Sequence, residues 1–201
     1  MGIIEESVHL LEERVQGSGC EDGVVNLRVD PDSTKCPYEH GVCMVATFGG
    51  KSAEFVTCEP TRATTKLSFM FGATFEKPGV KAAACAIINA LTGFLCINRV
   101  NHACASGSHQ PCIKGLREKL GGRKVHLLGD SAVLKRAFGT DLADSIEKAD
   151  IVLITCEGLL SGDDFLNMGD LPVQKYYLIG PSTSGIAVLT ATQHWCPYGK
   201  A

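Results

Sequence analysis

The chain lacks a charge excess of either sign: 19 lysines and arginines stand against 22 acids, for a net charge of −3, with no long run of either. Nucleic-acid backbones are held by clustered Lys and Arg, so nucleic acid is not expected as the main partner. Nor is there a polybasic surface for an anionic membrane. No stretch reaches the roughly 20 apolar residues that span a bilayer; the longest, Ala82 to Ile97, is interrupted by Asn89 and Thr92. Met1 to Gln16 carries Glu5, Glu6, Glu12 and Glu13, which no signal peptide would. A soluble, cytoplasmic protein is expected. Also missing are G-x-G-x-x-G after the first strand, a P-loop, H-E-x-x-H and G-x-S-x-G, so the assignments those motifs carry do not apply.

Cysteine is what the chain has in quantity. Ten in 201 residues lies below the roughly 8–10% of a disulfide scaffold, and no secretion signal accompanies them. Two readings follow: free thiols buried as small hydrophobes in a reducing, anaerobic cell, or a subset that binds a metal. A third use, redox sensing through exposed thiols, is weaker.

The composition, 45% apolar and 20% charged, is that of a globular protein with a real core. Ile4, Val8, Leu11 and Val15 keep helical spacing over 3–15. Val24–Val29 reads as a strand, and Cys43–Phe48 with Ala53–Cys58 as a hairpin about Gly49-Gly50. Pro31–His40 reads as loop. Helices are expected over 63–71 and from Pro78 towards Leu95. Composition turns small and polar at Asn98–Pro111, which places the boundary between an α+β lobe, 1–100, and a second lobe, 101–201. After a short helix to Leu120, three apolar runs end in turns: Lys124–Leu128 in Gly129-Asp130, Ile151–Thr155 in Cys156-Glu157-Gly158, and Tyr176–Ile179 in Gly180-Pro-Ser-Thr-Ser. Helices are expected between them, over 131–138, 141–148 and 163–168. Strands alternating with helices predict an α/β fold with a Rossmann-like parallel sheet. Ligands of such sheets bind beyond the carboxyl ends of the strands, so the three turns are expected to meet at one crevice.

Each turn has a functional and a plain reading. Gly180, Ser182, Thr183 and Ser184 could cap a helix and present free N–H groups to an anion, or form an ordinary capped turn. Cys156 and Glu157 could be soft and hard metal ligands, or nucleophile and base; the alternative is a buried thiol beside a solvated acid. His102, Cys104, His109 and Cys112 are all metal-ligand types, but their spacing fits no standard finger and reads more simply as linker. Asn89, in an apolar helix, needs partners and either ties helix to sheet or faces the crevice. His194, Trp195 and Cys196 read as closing the core. Asp130 and Glu157 are the acids placed for proton transfer.

Ala149–Thr155, Leu159–Gly162 and Tyr177–Thr183, together with Gly79–Leu91, resemble a prokaryotic family labelled heavy-metal chelation proteins, in patches from about Val24 to Gly199. The resemblance implies an enolase-N-terminal-like lobe joined to a Rossmann-like lobe, a ligand site between them, and a role in metal chelation around anaerobic tetrapyrrole or corrinoid metabolism. Asn89, Gly129, Thr155, Gly180, Ser182 and Thr183 match its pattern. Two departures stand out. The chain has Thr155-Cys156-Glu157-Gly158 where the family reads Thr-Gly-Thr-Thr, and only 21 residues, Asp130 to Asp150, where it fits a further strand and helix. The expectation is a metal-handling protein using a transition metal ion, with Cys156, Glu157, His102 and Cys104 as ligands and room for a homo-oligomer. The alternative is a binding module or transferase for a small anionic molecule such as a nucleotide.

Overall fold

A computed structural model describes residues 2–162 and 173–201. The helix expected over 163–168 lies outside the described residues. The fold is mixed α/β, built on two four-stranded sheets. Helix α1 (Ile3–Val15) leads into β1 (Val24–Asp30), β2 (Val42–Phe48), β3 (Lys51–Thr57) and β4 (Ala63–Lys66). These form an antiparallel sheet in the order β3-β2-β1-β4. Helices α2 (Leu67–Phe71), α3 (Pro78–Phe94) and α4 (His109–Leu120) follow. Then β5 (Val125–Leu128), α5 (Ala132–Phe138), β6 (Ile151–Ile154), α6 (Cys156–Gly162), β7 (Tyr176–Ile179), α7 (Ser184–Leu189) and β8 (Gln193–Trp195) complete the described chain. Strands β5-β6-β7-β8 pair in parallel, in that order.

Strands β6 and β7 are buried along their whole length, as an internal parallel sheet requires. Alternate residues serve two cores. Val152, Ile154, Tyr176 and Leu178 join a cluster that also holds Ile4, Leu11, Phe55 and Ile88. Ile151, Leu153, Tyr177 and Ile179 pack with Leu116, Leu120, Leu134 and Phe138 of α4 and α5. The first core thus runs from the antiparallel sheet, through α1 and α3, to one face of the parallel sheet. Helix α3 sits at its centre. Pro78 opens it, where a missing N–H is harmless, and it is apolar nearly all round because the antiparallel sheet covers one side and α1, α6 and α7 the other.

Two expectations are corrected and one unforeseen strand is added. Ala63–Lys66 is not helical: β-branched Thr64 and Thr65 favour a strand, Thr64 Oγ1 donates to Asn26 Oδ1 at 2.8 Å, and Ala63 pairs with Leu27. Residues 141–148 form no helix. Their chain runs beside β5, with Ala143 N–H donating to the Val125 carbonyl at 2.8 Å and Leu142 bridging Val125. The added strand, β8, extends the parallel sheet although Gln193-His194-Trp195 shows no apolar run. Among the described residues no helix is long and apolar enough to cross a membrane.

Candidate functional site

Two of the three expected turns interlock at the carboxyl rim of the parallel sheet. Gly129 follows β5 with φ +98°, and a Cβ there would strike Thr155 Oγ1 and the Gly158 amide. The positive φ and the close approach together require glycine. The turn after β6 is held by Thr155, whose N–H and Oγ1 both donate to the Leu128 carbonyl, at 3.1 and 3.3 Å, and whose Oγ1 accepts from Gly158 N–H at 3.2 Å. Across the gap the Asp130 N–H donates to Glu157 Oε2 at 2.9 Å. Gly129, Asp130, Thr155 and Glu157 are therefore neighbours. Asp130 also pairs with Lys135 Nζ at 2.6 Å, and that hydrogen bond and charge hold its carboxyl below the usual range. It is a poorer base for it.

The third turn is closed rather than open. Ser182, Thr183 and Ser184 are buried, and their polar groups are engaged within the chain. Ser182 Oγ accepts from Val56 N–H of β3 at 3.0 Å. Thr183 Oγ1 donates to the Gly180 carbonyl at 3.1 Å. Ser184 Oγ lies 2.6 Å from the Val100 carbonyl and accepts from Asn98 Nδ2 at 2.9 Å. Asn89, fully buried in α3, ties the seam: Nδ2 donates to the Glu54 carbonyl (3.0 Å) and the Ser182 carbonyl (2.8 Å), and Oδ1 accepts from Gly185 N–H (2.8 Å). The place proposed for an anion is filled from within. Ser182 N–H donates to Glu39 Oε1 at 3.1 Å. Gly180, at φ +87°, leaves room for that carboxylate, since a Cβ would come within 2.8 Å of Glu39 Oε1. Glu39 Oε2 is shut off from solvent without a hydrogen-bond partner. Burial drives the Glu39 carboxyl up to about 7, against the lowering effect of the Ser182 hydrogen bonds and with some help from Glu54.

The residues expected to bind metal do not form a coordination sphere. Cys156 is fully buried in the core, and burial pushes its thiol well up. His102 Nδ1 pairs with Glu54 Oε1 at 3.2 Å, and Glu54 Oε2 accepts from Ala103 N–H at 2.9 Å. Burial raises the Glu54 carboxyl, but hydrogen bonds from His102 and Ala103 outweigh it and leave the group below its ordinary value. Cys104 is buried, and its thiol is raised by that burial. Among the described residues no three His, Cys, Asp or Glu side chains are placed to hold an ion. All ten cysteines are free, six of them buried; Cys43 and Cys196 are each driven to about 12 by burial. Most behave as small hydrophobes.

The open part of the rim is a pocket of about 220 Å³ where α6 faces the end of β3, bordered by His40, Cys58, Glu59, Glu157, Leu160 and Ser161. Cys58 is one of two exposed thiols, the other being Cys96. Its Sγ lies 3.6 Å from His40 Nδ1. Sequence reasoning found Glu157 but missed Glu39, His40 and Cys58. Glu39 and His40 end a polar stretch with the features of an ordinary loop, and Cys58 looks like the last residue of a hairpin. Only the packing of β3 against α6 brings His40 and Cys58 to Glu157, while Glu39 lies against Ser182. A soft thiol and a borderline imidazole thus meet at one opening, with two hard carboxylates on its border.

No family model matches the sequence, and no curated protein does. Solved structures do. A protein of unknown function from the DUF364 family of Desulfitobacterium hafniense aligns with a TM-score of 0.52 and 17% identity, over 92% of this chain and 81% of its own. A second DUF364 protein of unknown function, from Pyrococcus horikoshii, aligns with a TM-score of 0.48 and 11% identity, over 90% and 79%. The likeness to the first is one of fold.

Proposed function

We propose that this chain handles a transition metal ion, bound exchangeably at the rim pocket through Cys58 and His40, the remaining coordination positions being left to ligands that come with the ion. The observation that supports this reading is the thiol and imidazole 3.6 Å apart at a solvent-reachable opening bordered by two carboxylates. Structural metal sites close around the ion with four protein ligands, whereas sites that exchange or activate keep positions open. Two pre-placed donors suit an ion that arrives and leaves with other ligands. Of the residues first expected to chelate, Cys156 and Cys104 are buried and His102 pairs with Glu54, so the proposed ligands are instead the exposed thiol and its neighbouring imidazole.

Reduced protein titrated with Co²⁺ without oxygen is expected to develop the near-ultraviolet thiolate-to-cobalt charge-transfer band, and to release protons as the thiol ionises. Cys58→Ser should abolish the band, and His40→Ala should weaken binding at least roughly tenfold, or 1.4 kcal/mol. Cys96→Ser, at the other exposed thiol, should change nothing. Failure of the reduced protein to bind cobalt, nickel or zinc, or binding indifferent to Cys58→Ser, overturns the reading.

A further inference from the structure

On the far face of the parallel sheet, away from the rim, α4 and α5 leave a groove of about 770 Å³ between them. That volume lies within the roughly 300–1,000 Å³ of small-molecule sites. Its floor is apolar: Ile113, Val133 and Ala137 are only partly covered, beside buried Phe138. Around this floor stand Lys114, Arg117, Arg123 and Arg136, against two acids, Glu118 and Asp141. Two of the cations are already engaged. Lys114 reaches Glu118 at 3.8 Å, and Arg123 donates to the Leu120 and Lys119 carbonyls. Arg117 and Arg136, on opposite walls, carry no ion pair among the described residues. His109, at the start of α4, adds a ring nitrogen, Nε2, that is enclosed and has no hydrogen-bond partner.

We infer that this groove binds a phosphorylated small molecule with a flat apolar body, of which a nucleoside diphosphate is the simplest form. A guanidinium presents paired N–H groups that match phosphate oxygens, and it is hydrated weakly enough to give up water for them. Two such forks, one from α4 and one from α5, grip the charged end while the apolar floor takes the planar end. None of His40, Cys58 or Glu157 borders the groove, so this site stands apart from the metal reading.

The test is calorimetric titration of the full chain with ADP in the presence of EDTA, which removes any contribution from bound metal. ADP is expected to bind, more weakly as KCl is raised. Arg117→Glu with Arg136→Glu is expected to reduce affinity at least roughly tenfold, with the fold retained because both side chains are exposed and only a small drop in melting temperature from acids in the last helical turns. Arg28→Glu, on the remote antiparallel sheet, is the charge control and should leave binding intact. Pyrophosphate should bind more weakly than ADP, since it leaves the floor uncovered. Absence of ADP binding, binding unaffected by the double reversal, or pyrophosphate binding as tightly as ADP overturns the proposal.

Discussion

Asn89→Leu is expected to destabilise the protein by about 4 kcal/mol, the sum of two or three buried polar groups left unpaired at about 1–3 kcal/mol each. Leucine keeps the branch at Cγ but is the larger residue, so mild overpacking adds to the loss. What goes is the amide that donates to the Glu54 and Ser182 carbonyls and accepts from Gly185 N–H. These three partners lie on β3, on the turn after β7 and at the start of α7, and water cannot reach the fully buried Asn89 position to replace the amide. Against the roughly 5–15 kcal/mol total stability of an ordinary domain this is a large fraction. Urea unfolding should show a much lower midpoint with an unchanged slope. A loss below about 1 kcal/mol would mean the seam does not depend on this residue. The consequence reaches the site, because β3 leads to Cys58 and the seam sets β3 against α6.

What could be read from the sequence follows from which residues act locally. The helical spacing of α1, Pro78 at the start of α3 and the buried runs of β6 and β7 are periodic signals that need no partner to interpret. Gly129 and Gly180 were also legible, since strand-end glycines mark close backbone approach. The role of Gly180 was not, because the carboxylate it makes room for belongs to Glu39, over a hundred residues earlier. The same limit applies to Ser182. A serine after a strand suits an anion equally well whether that anion is a ligand or the chain's own side chain. His40 and Cys58 carry no spacing signal, and they become a pair only when their segments pack against α6. Cys156 failed as a ligand for the opposite reason: it starts α6 with its side chain turned into the core, a direction that the strand-and-turn reading of 151–158 could not supply. Segment 141–148 misled because its helical composition was overridden by backbone pairing to β5.

Glu39→Gln is expected to stabilise the protein at pH 8 and to make little difference at pH 4.5. The Glu39 carboxyl lies at about 7 in the fold, against 4.5 as its ordinary value. A carboxyl raised by folding binds its proton more tightly in the folded chain than in the unfolded one. Between pH 4.5 and 7 the folded state therefore holds more protons, and stability falls as pH rises through that window. Below it both states are protonated and the penalty is absent; above it the penalty is complete. At 1.36 kcal/mol per unit the full displacement corresponds to roughly 3 kcal/mol. Glutamine stays neutral at every pH and keeps an oxygen for the Ser182 N–H. It is also nearly the shape of the protonated acid, whose second oxygen likewise lacks a partner. The gain should thus appear only where wild-type Glu39 is ionised, approaching the full roughly 3 kcal/mol at pH 8. Glu54 titrates in the opposite sense, its carboxyl lying below the ordinary value, and so contributes stability that is lost as pH falls. That contribution is common to both proteins apart from the repulsion between the two carboxylates, which the variant also removes, so the difference reports Glu39 and its coupling to Glu54. Urea midpoints measured at pH 4.5, 6, 7 and 8 decide the matter: a gain of equal size at all four, or none at pH 8, would show that the carboxylate facing Ser182 is not held in an ion-hostile setting.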